Sequence, residues 1–199
     1  MPRIASYNCQ QSHDRAVRFL GARIAEEVDA SCTQESGTRM ALQESLAVVP
    51  NMMSADAYLN DPCALVTHTL TRASADATIP IGAGLNGNRS ALLTRLRCGL
   101  VVVNVHLTSG NERRAREELV AVRQYLQDHH RGEPWLIIGD FNHDPQRDHA
   151  GVHFARGPQH QSGSYLDWAM AGGVAGIAAG EYPRYHGSDH GPWYVDVDL

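Results

Sequence analysis

The chain has 199 residues, of which 43% are hydrophobic and 20% are charged, so it is long enough and apolar enough for one domain with a sizeable core and is not a disordered or fibrous sequence. Its formal net charge of -5 at pH 7 excludes a general attraction to nucleic acid or to anionic membranes, although it leaves room for a local basic groove. Because all 17 cationic side chains are arginine, phosphate contacts must come from arginine, histidine, hydroxyl groups or backbone N–H groups.

The sequence also bears on the compartment. The longest apolar runs are too short to span a bilayer, and the N-terminal residues have the pattern of a strand rather than of a signal peptide. The four cysteines lack C-x-x-C spacing, which predicts buried reduced thiols; a disulfide or zinc framework is the alternative. We therefore expect a single domain over residues 1–199 that is cytoplasmic, monomeric and without a membrane partner.

Strands alternate with helices in the first half of the chain. Short apolar runs that end in turn residues predict strands, and apolar residues at helical spacing predict helices. The predicted elements are strands at 3–8, 32–35 and 64–68 and helices at 13–28 and 38–46, the second of which Thr38 would cap. The glycine-rich residues 79–88 are predicted to form a loop.

Strands follow one another more directly in the second half. They are predicted at 90–96, 100–106, 135–142, 166–170 and 193–197, with a hairpin turn at 97–99. The clearest helix covers residues 112–129, and Gly132 and Pro134 end it. Residues 143–165 and 172–180 are predicted to be loops. This order predicts a mixed α/β or α+β architecture with more than one sheet layer.

The stretch W-L-I-I-G-D-F-N at 135–142 is the most informative one. Four apolar residues run into a glycine, which predicts a buried strand that ends in turn chemistry. The two-residue period of an extended chain would place Asp140 and Asn142 on one side and Phe141 in the core. In isolation these residues are also typical of a simple turn, so the interpretation depends on the rest of the chain.

Asp140 and Asn142 belong to a larger set of polar residues that stand at or just beyond the ends of apolar extended runs. They are Asn8, Glu35, His106, Asp140, Asn142, Asp167, Asp189 and His190. If these strands share a sheet edge, the side chains converge. Oxygen ligands without a thiolate favour Mg²⁺ or Mn²⁺ over Zn²⁺, and imidazoles beside carboxylates suit proton transfer. The sequence therefore predicts a divalent-metal site that hydrolyses phosphate esters.

These residues lie in motifs that occur in a recognisable order. The motifs are Y-N at 7–8, Q-E at 34–35, N-V-H-L at 104–107, G-D-F-N at 139–142, L-D at 166–167 and S-D-H-G-P at 188–192. The chain resembles the endonuclease/exonuclease/phosphatase superfamily, and H-L-T-S-G-N at 106–111 and L-D-W at 166–168 look most like its deoxyribonuclease I and cytolethal distending toxin branch. The resemblance implies an α+β sandwich of two mixed β-sheets packed face to face with helices on the outer faces.

The resemblance also implies roles for the metal and water side of the site. Glu35 would ligate Mg²⁺ or Mn²⁺, with Asn8 and Asp189 near it. Asp140 would orient or deprotonate the attacking water, or hold a second metal. Asn142 would donate a hydrogen bond to the scissile phosphate or to that water.

Two imidazoles complete the implied machinery. His190 would contact the phosphate oxygens, held and charged by Asp167, so that the pair acts as one acid/base unit. His106 would be the second imidazole of the nuclease-like branch, where a glutamate from the middle of the chain is its partner. No glutamate occurs between residues 48 and 95, so either another group orients His106 or the residue is used differently.

Further phosphate contacts are proposed from position alone. Free N–H groups at the start of helix 112–129 would bind an anion, and arginines nearby would add charge. The candidates are Arg89, Ser109, Asn111 and Arg113, with Arg147 and Arg156 in the long loop. For Arg113 the alternative is a solvated helix face. The histidines at 143, 149, 153 and 160 suggest a second metal site, which their irregular spacing disfavours.

The leading hypothesis is a Mg²⁺- or Mn²⁺-dependent phosphodiesterase that cuts nucleic acid, with DNA in first place, and leaves 3′-hydroxyl and 5′-phosphate ends. The alternative is a phosphomonoesterase acting on inositol phosphates or a similar small phosphate ester. A third hypothesis, from a different class, is an inactive binding module with the same fold. The chain is short for the family and acidic, which leaves weak duplex affinity or a smaller or single-stranded substrate open.

Overall fold

The computed structural model describes residues 1–26, 28–37, 53–57, 65–69, 76–84, 87–146, 149–183 and 187–199. In these ranges the chain forms two mixed sheets of six strands each. The strands are β1 Arg3–Asn8, β2 Ala30–Gln34, β3 Met53–Ala57, β4 Leu65–Thr69, β5 Asp76–Gly84, β6 Gly87–Arg95, β7 Val101–His106, β8 Trp135–Asp140, β9 His153–Arg156, β10 Asp167–Gly172, β11 Gly176–Glu181 and β12 Trp193–Asp198. The helices are α1 His13–Ala25 and α2 Glu112–His129.

Sheet I has the strand order β11-β12-β1-β2-β4-β3, and sheet II has the order β5-β6-β7-β8-β10-β9. The central pair of each sheet is parallel: β1 with β2 in sheet I, and β7 with β8 in sheet II. Each pair is joined through a helix, α1 or α2, as parallel strands require. The flanking strands β12 and β10 run antiparallel to β1 and β8.

The apolar core explains the layer order. Alternate residues of the central strands, such as Ile4 and Val102, pack in one cluster between the two sheets. The other face of sheet II packs against α2 through Leu119 and Val122, and Phe19 of α1 packs on sheet I. The predicted α+β sandwich, with two mixed sheets face to face and helices outside, is therefore confirmed.

Several predicted element bounds need correction. Residues 79–84 and 87–88 do not form a loop but belong to the antiparallel strands β5 and β6, whose pairing has a register shift between Pro80 and Gly82. The segments 143–165 and 172–180 likewise contain the edge strands β9 and β11. Edge strands take their order from a neighbour's backbone, so their own sequences carry little apolar alternation. The helix predicted at 38–46 lies outside the described residues.

Smaller differences concern the ends and the thiols. Helix α1 ends at Ala25 rather than at 28, whereas β1 and α2 have their predicted bounds. Cys9 and Cys32 are buried free thiols as predicted, but Cys98 lies exposed in the turn between β6 and β7. Burial raises the pKa of the Cys32 thiol to about 12. Cys63 lies outside the described residues. Among the described helices, none is long and apolar enough to cross a membrane.

Candidate active site

The candidate site lies at one end of the space between the two sheets. In β8, Leu136 and Ile138 face sheet I, and the same two-residue period turns Asp140 in that direction. In β7, Val102 faces sheet I in the same way, and the period brings His106 to that face at the strand end. Each strand therefore delivers apolar side chains to the core and one polar side chain to its rim.

The sheet topology brings the strand ends together. His106 lies opposite Asp140 in the parallel pair of β7 and β8, so the two strands end side by side. Because β10 is antiparallel to β8, its first residue, Asp167, is also paired with Asp140. In sheet I, β1 ends at Asn8, and the antiparallel β12 begins at that same end, just after residues 188–190.

A carboxamide and an imidazole link two carboxylates at the centre of the site. Asn8 Nδ2 donates to Asp140 Oδ2 at 3.0 Å and to Glu35 Oε1 at 3.4 Å. His106 Nε2 lies 3.5 Å from the same Glu35 oxygen and 3.8 Å from the same Asp140 oxygen. Glu35 and Asp140 thus present oxygens to one point, and both are contacts of His106, for which the sequence offered no partner.

The second imidazole is held by a buried carboxylate. His190 Nδ1 donates to Asp167 Oδ2 at 2.7 Å, and both residues are buried. The other ring nitrogen, Nε2, lies 3.7 Å from Asp140 Oδ2 and 3.8 Å from Asp189 Oδ1. The predicted Asp167–His190 pair is therefore formed, and Asp140 Oδ2 lies between two imidazoles.

Burial and neighbouring charges perturb both central groups. Burial, and then the charge of Asp167, raise the pKa of Asp140 to about 7, against the opposing effects of His190 and of two donated hydrogen bonds. Burial alone would lower the pKa of His190, but the hydrogen bond and charge of Asp167 outweigh it and raise that pKa to about 9. At neutral pH the site therefore holds an imidazolium beside a carboxyl group that is poised to accept or release a proton.

Asn142 reaches the site by a different route from the predicted one. Strand β8 ends at Asp140, and Asn142 adopts a left-handed backbone with φ of 54°. Its N–H donates to Asp140 Oδ1 at 3.0 Å, and its Nδ2 donates to the carbonyl of Leu107 at 3.0 Å. An Asx turn, in which the Asp140 side chain accepts from the backbone two residues on, places Asn142 beside Asp140 instead of an extended strand. Glu35 also has a left-handed backbone, with φ of 48°; such strain is typical of functional sites.

A polar layer beneath the site was missed in the sequence. Gln34 Nε2 donates to Asn104 Oδ1 at 2.7 Å and to Ser6 Oγ at 3.2 Å, and Asn104 Nδ2 donates to the carbonyl of Thr33 at 3.1 Å. These buried groups join sheet I to sheet II one pleat below Asn8 and His106. Ser6 and Asn104 each lie two residues before a candidate residue in the same strand, and this spacing would have identified them.

Ser188 holds the last motif in place. Its Oγ donates to the carbonyl of Asn8 at 3.1 Å and lies 3.3 Å from the N–H of His190, from which it accepts. Asp189 meets an unpredicted partner, because its Oδ2 lies 3.0 Å from His160 Nε2. Of the four histidines considered for a second metal site, His160 alone is brought to this site. Of the other three, His143 contacts the carbonyl of Phe141, His149 contacts Arg123, and His153 is exposed.

The predicted phosphate contacts fare differently. Asn111 caps α2 by accepting from the N–H of Arg114, and Arg113 pairs with Glu117 on an exposed helix face, as its alternative interpretation held. The N–H and hydroxyl of Thr108 both donate to the buried Glu118 carboxylate, so that the protein itself fills the anion position expected there. Ser109 is exposed in the intervening turn. Arg89 lies within β6, paired with Gly82, and its side chain lies outside the described part.

Comparison with known proteins identifies a family for the chain. A family model described as the endonuclease/exonuclease/phosphatase family matches residues 5–190. None of the curated proteins compared with the chain matches it.

Solved structures of the same architecture cover nearly the whole chain. An endonuclease/exonuclease/phosphatase from Bacteroides vulgatus is 15% identical with a TM-score of 0.75, covering 100% of this chain and 98% of that chain. The Haemophilus ducreyi cytolethal distending toxin is 16% identical with a TM-score of 0.70, covering 99% and 98%. The human Nocturnin catalytic domain with bound sulfate is 17% identical with a TM-score of 0.77, covering 99% and 94%. At these identities the likeness shows a shared fold.

Proposed function

Because the chain belongs to the endonuclease/exonuclease/phosphatase family, whose members generally hydrolyse phosphate esters, we propose that it is a divalent-metal-dependent phosphodiesterase acting on nucleic acid. The proposed reaction is endonucleolytic cleavage of DNA to 3′-hydroxyl and 5′-phosphate ends. The observation that carries the proposal is the position of Asp140 Oδ2, 3.8 Å from His106 Nε2 and 3.7 Å from His190 Nε2. A carboxylate between two imidazoles provides both a base and positive charge for an in-line displacement at phosphorus.

The donor set fits Mg²⁺ or Mn²⁺. Glu35 and Asp140 direct oxygens at the same Asn8 amide, and Asp189 Oδ1 is buried without a hydrogen-bond partner among the described residues. Oxygen atoms predominate and no thiolate contributes, which is the preference of these hard cations. Glu35 and Asp189 would hold the ion with Asn8 beside them, since Asn8 turns its Nδ2 to Glu35 and its Oδ1 accepts the Gln10 N–H at 2.9 Å. When bound, the ion would supply charge stabilisation to the phosphate.

The chain's own groups divide the proton and charge chemistry. Asp140, with its pKa raised to about 7, suits the base that takes a proton from the attacking water near neutral pH. The His190 imidazolium, which Asp167 orients, stabilises negative charge on the phosphate oxygens and is able to donate a proton to them. Asn142 is fixed by Leu107 and Asp140 and stands where it can orient the phosphate or the water.

A neighbouring cleft supports a nucleotide substrate. It has a volume of about 370 Å³ and is lined by Asn142, Arg156 and Tyr165, among others. The guanidinium of Arg156 lies 3.8 Å above the ring of Tyr165 and forms a flat cation–aromatic surface. Glu112 and Asp144 also line the cleft, so it suits a base or a sugar better than a further phosphate. We infer that a nucleoside next to the scissile phosphate would bind in this cleft, which Asn142 joins to the site.

Plasmid nicking by the purified protein tests the proposal. We expect relaxation of supercoiled DNA with Mg²⁺ or Mn²⁺, loss of activity with EDTA, and 5′-phosphate ends that ligate without kinase treatment. His153→Ala, a change of an exposed histidine, serves as the matched control for His190→Ala. Absence of metal-dependent nicking from about pH 6 to 9 would refute the nuclease proposal. Phosphate release from inositol polyphosphates would then favour the phosphomonoesterase, and failure of both assays would favour a binding module.

A further inference from the structure

We propose that His160 is a positioning residue of this site, which fixes the Asp189 carboxylate so that one oxygen is held by the protein and the other is presented to the divalent cation. The inference rests on the proposed function, because it assigns a partner to one of the residues that would hold the ion. It also gives a role to a histidine in a segment where the sequence predicted only a loop.

The contact is direct and partly shielded from solvent. His160 Nε2 lies 3.0 Å from Asp189 Oδ2, and the two side chains are 14% and 31% exposed. The rings of His160 and His190 also pack edge to face, with 4.7 Å between the centroids. One imidazole therefore restrains both residues of the D-H motif at once.

The turn that carries His160 is docked on the same motif. The N–H of His160 donates to Ser164 O at 2.9 Å, and that of Gly163 donates to His160 O at 2.9 Å, which makes the turn compact. The next residue, Gln161, donates from its backbone N–H to Asp189 O at 3.1 Å and from Nε2 to Ser188 O at 3.0 Å. The position of the imidazole is thus set by backbone contacts rather than by one side-chain contact.

Backbone chemistry also fixes the tautomer of His160. The N–H of Ser162 donates to His160 Nδ1 at 3.0 Å, and the Ser162 hydroxyl oxygen lies 2.7 Å from the same nitrogen. A backbone N–H can only donate and the hydroxyl can donate as well, so a lone pair at Nδ1, with the ring proton on Nε2, satisfies every contact of the ring. Nε2–H then points to Asp189 Oδ2, which accepts. We assign the tautomer from these partners.

With this tautomer, His160 positions Asp189 and does not itself bind the cation. Ligand atoms of His160, Asp189 and His190 lie within 4.8 Å of one another, the spacing of a possible metal trio. An imidazole that accepts at Nδ1 and donates at Nε2 has no lone pair left for a cation. Oδ2 of Asp189 is therefore engaged, whereas the buried Oδ1 lies 3.8 Å from His190 Nε2, accepts no hydrogen bond from the described residues and keeps its lone pairs for a cation. An outer hydrogen bond of this kind orients a ligating carboxylate.

Two substitutions distinguish this role from a general effect on the turn. In His160→Gln the terminal amide reaches the position of Nε2 and keeps a donor for Asp189, whereas in His160→Asn the amide is too short. We expect His160→Asn to weaken Mn²⁺ binding by about 10- to 100-fold, the usual effect of losing an outer partner, and His160→Gln to stay much closer to wild type. His153→Ala on β9 is the matched histidine control and should bind as wild type.

Mn²⁺ binding without substrate, measured by electron paramagnetic resonance and calorimetry, is the readout, with thermal melting to verify folding. Unchanged Mn²⁺ affinity in His160→Asn would overturn the inference, as would an equal loss in His160→Gln. A nitrogen coupling to bound Mn²⁺ that disappears in His160→Gln would show direct ligation and would also overturn it. If the wild type itself does not bind Mn²⁺, the metal part of the proposed function fails, which is a separate outcome.

Discussion

Substitution of Asp140 by asparagine should stabilise the metal-free protein at pH 8 while it abolishes catalysis. Burial, with the charge of Asp167, raises the pKa of this carboxyl from 3.8 to about 7. At 1.36 kcal/mol per pKa unit, the ionised form costs the fold about 4 kcal/mol. The protonated carboxyl group contributes fully to the free energy of unfolding below pH 3.8, and this contribution is lost as the pH rises through 7. Asn8 and Asn142 both donate to this carboxylate, so the amide should lose one hydrogen bond, worth about 1 kcal/mol.

Urea unfolding in EDTA, followed by tryptophan fluorescence, measures this effect. We expect Asp140→Asn to raise the free energy of unfolding at pH 8 by about 2–3 kcal/mol over wild type. At pH 5, ionisation of Asp140 lowers the stability of the wild type by less than half as much as at pH 8. After the lost hydrogen bond is subtracted, the difference in the free energy of unfolding between variant and wild type should therefore shrink or vanish at pH 5. Asp198→Asn, at an exposed position at the end of β12, is the control and should show no such dependence. A variant no more stable than wild type at pH 8, or a gap independent of pH, would refute the reasoning about the Asp140 environment.

The remaining predictions concern turnover, metal and substrate. His190→Ala should lower kcat by roughly 10²- to 10⁴-fold with little change in KM, since it removes a positioned acid/base group, and wild-type turnover would contradict its role. Glu35→Gln should raise the Mg²⁺ concentration needed for half-maximal activity, and an unchanged titration would count against Glu35 as a ligand. Arg156→Ala should raise KM for DNA and leave kcat unchanged, because it removes the cation stacked on Tyr165; the same KM at several salt concentrations would refute a contact with substrate.

The grouping of polar side chains at the strand ends was predictable because two local patterns agreed. Apolar runs such as Leu136–Ile138 mark buried strands in any context, and a polar residue at the end of such a run is uncommon unless it has a use. The parallel pairing of β7 with β8 then places His106 beside Asp140 without any further information.

What the sequence did not reveal depends on contacts between distant segments. The edge strands β9 and β11 are ordered by backbone pairing with neighbours, which leaves little trace in their own residues. The left-handed turn at Asn142 replaced the expected continuation of β8, because Asp140 accepts the Asn142 N–H. His160 looked like one histidine among many, since its partner lies 29 positions further along the chain and is brought to it by the fold alone.

The proposed active site lies at the seam between the two sheets, so its side chains also hold the sheets together. Hydrogen bonds between pairs of side chains close the seam there, from Asn8 to Asp140, from Gln34 to Asn104, and from His190 to Asp167. In each, one partner belongs to sheet I or to the segment that leads into β12, and the other belongs to sheet II. Neither sheet alone carries all of the proposed reacting groups, so the proposed activity would require the two sheets to be docked and should disappear before either sheet loses its secondary structure.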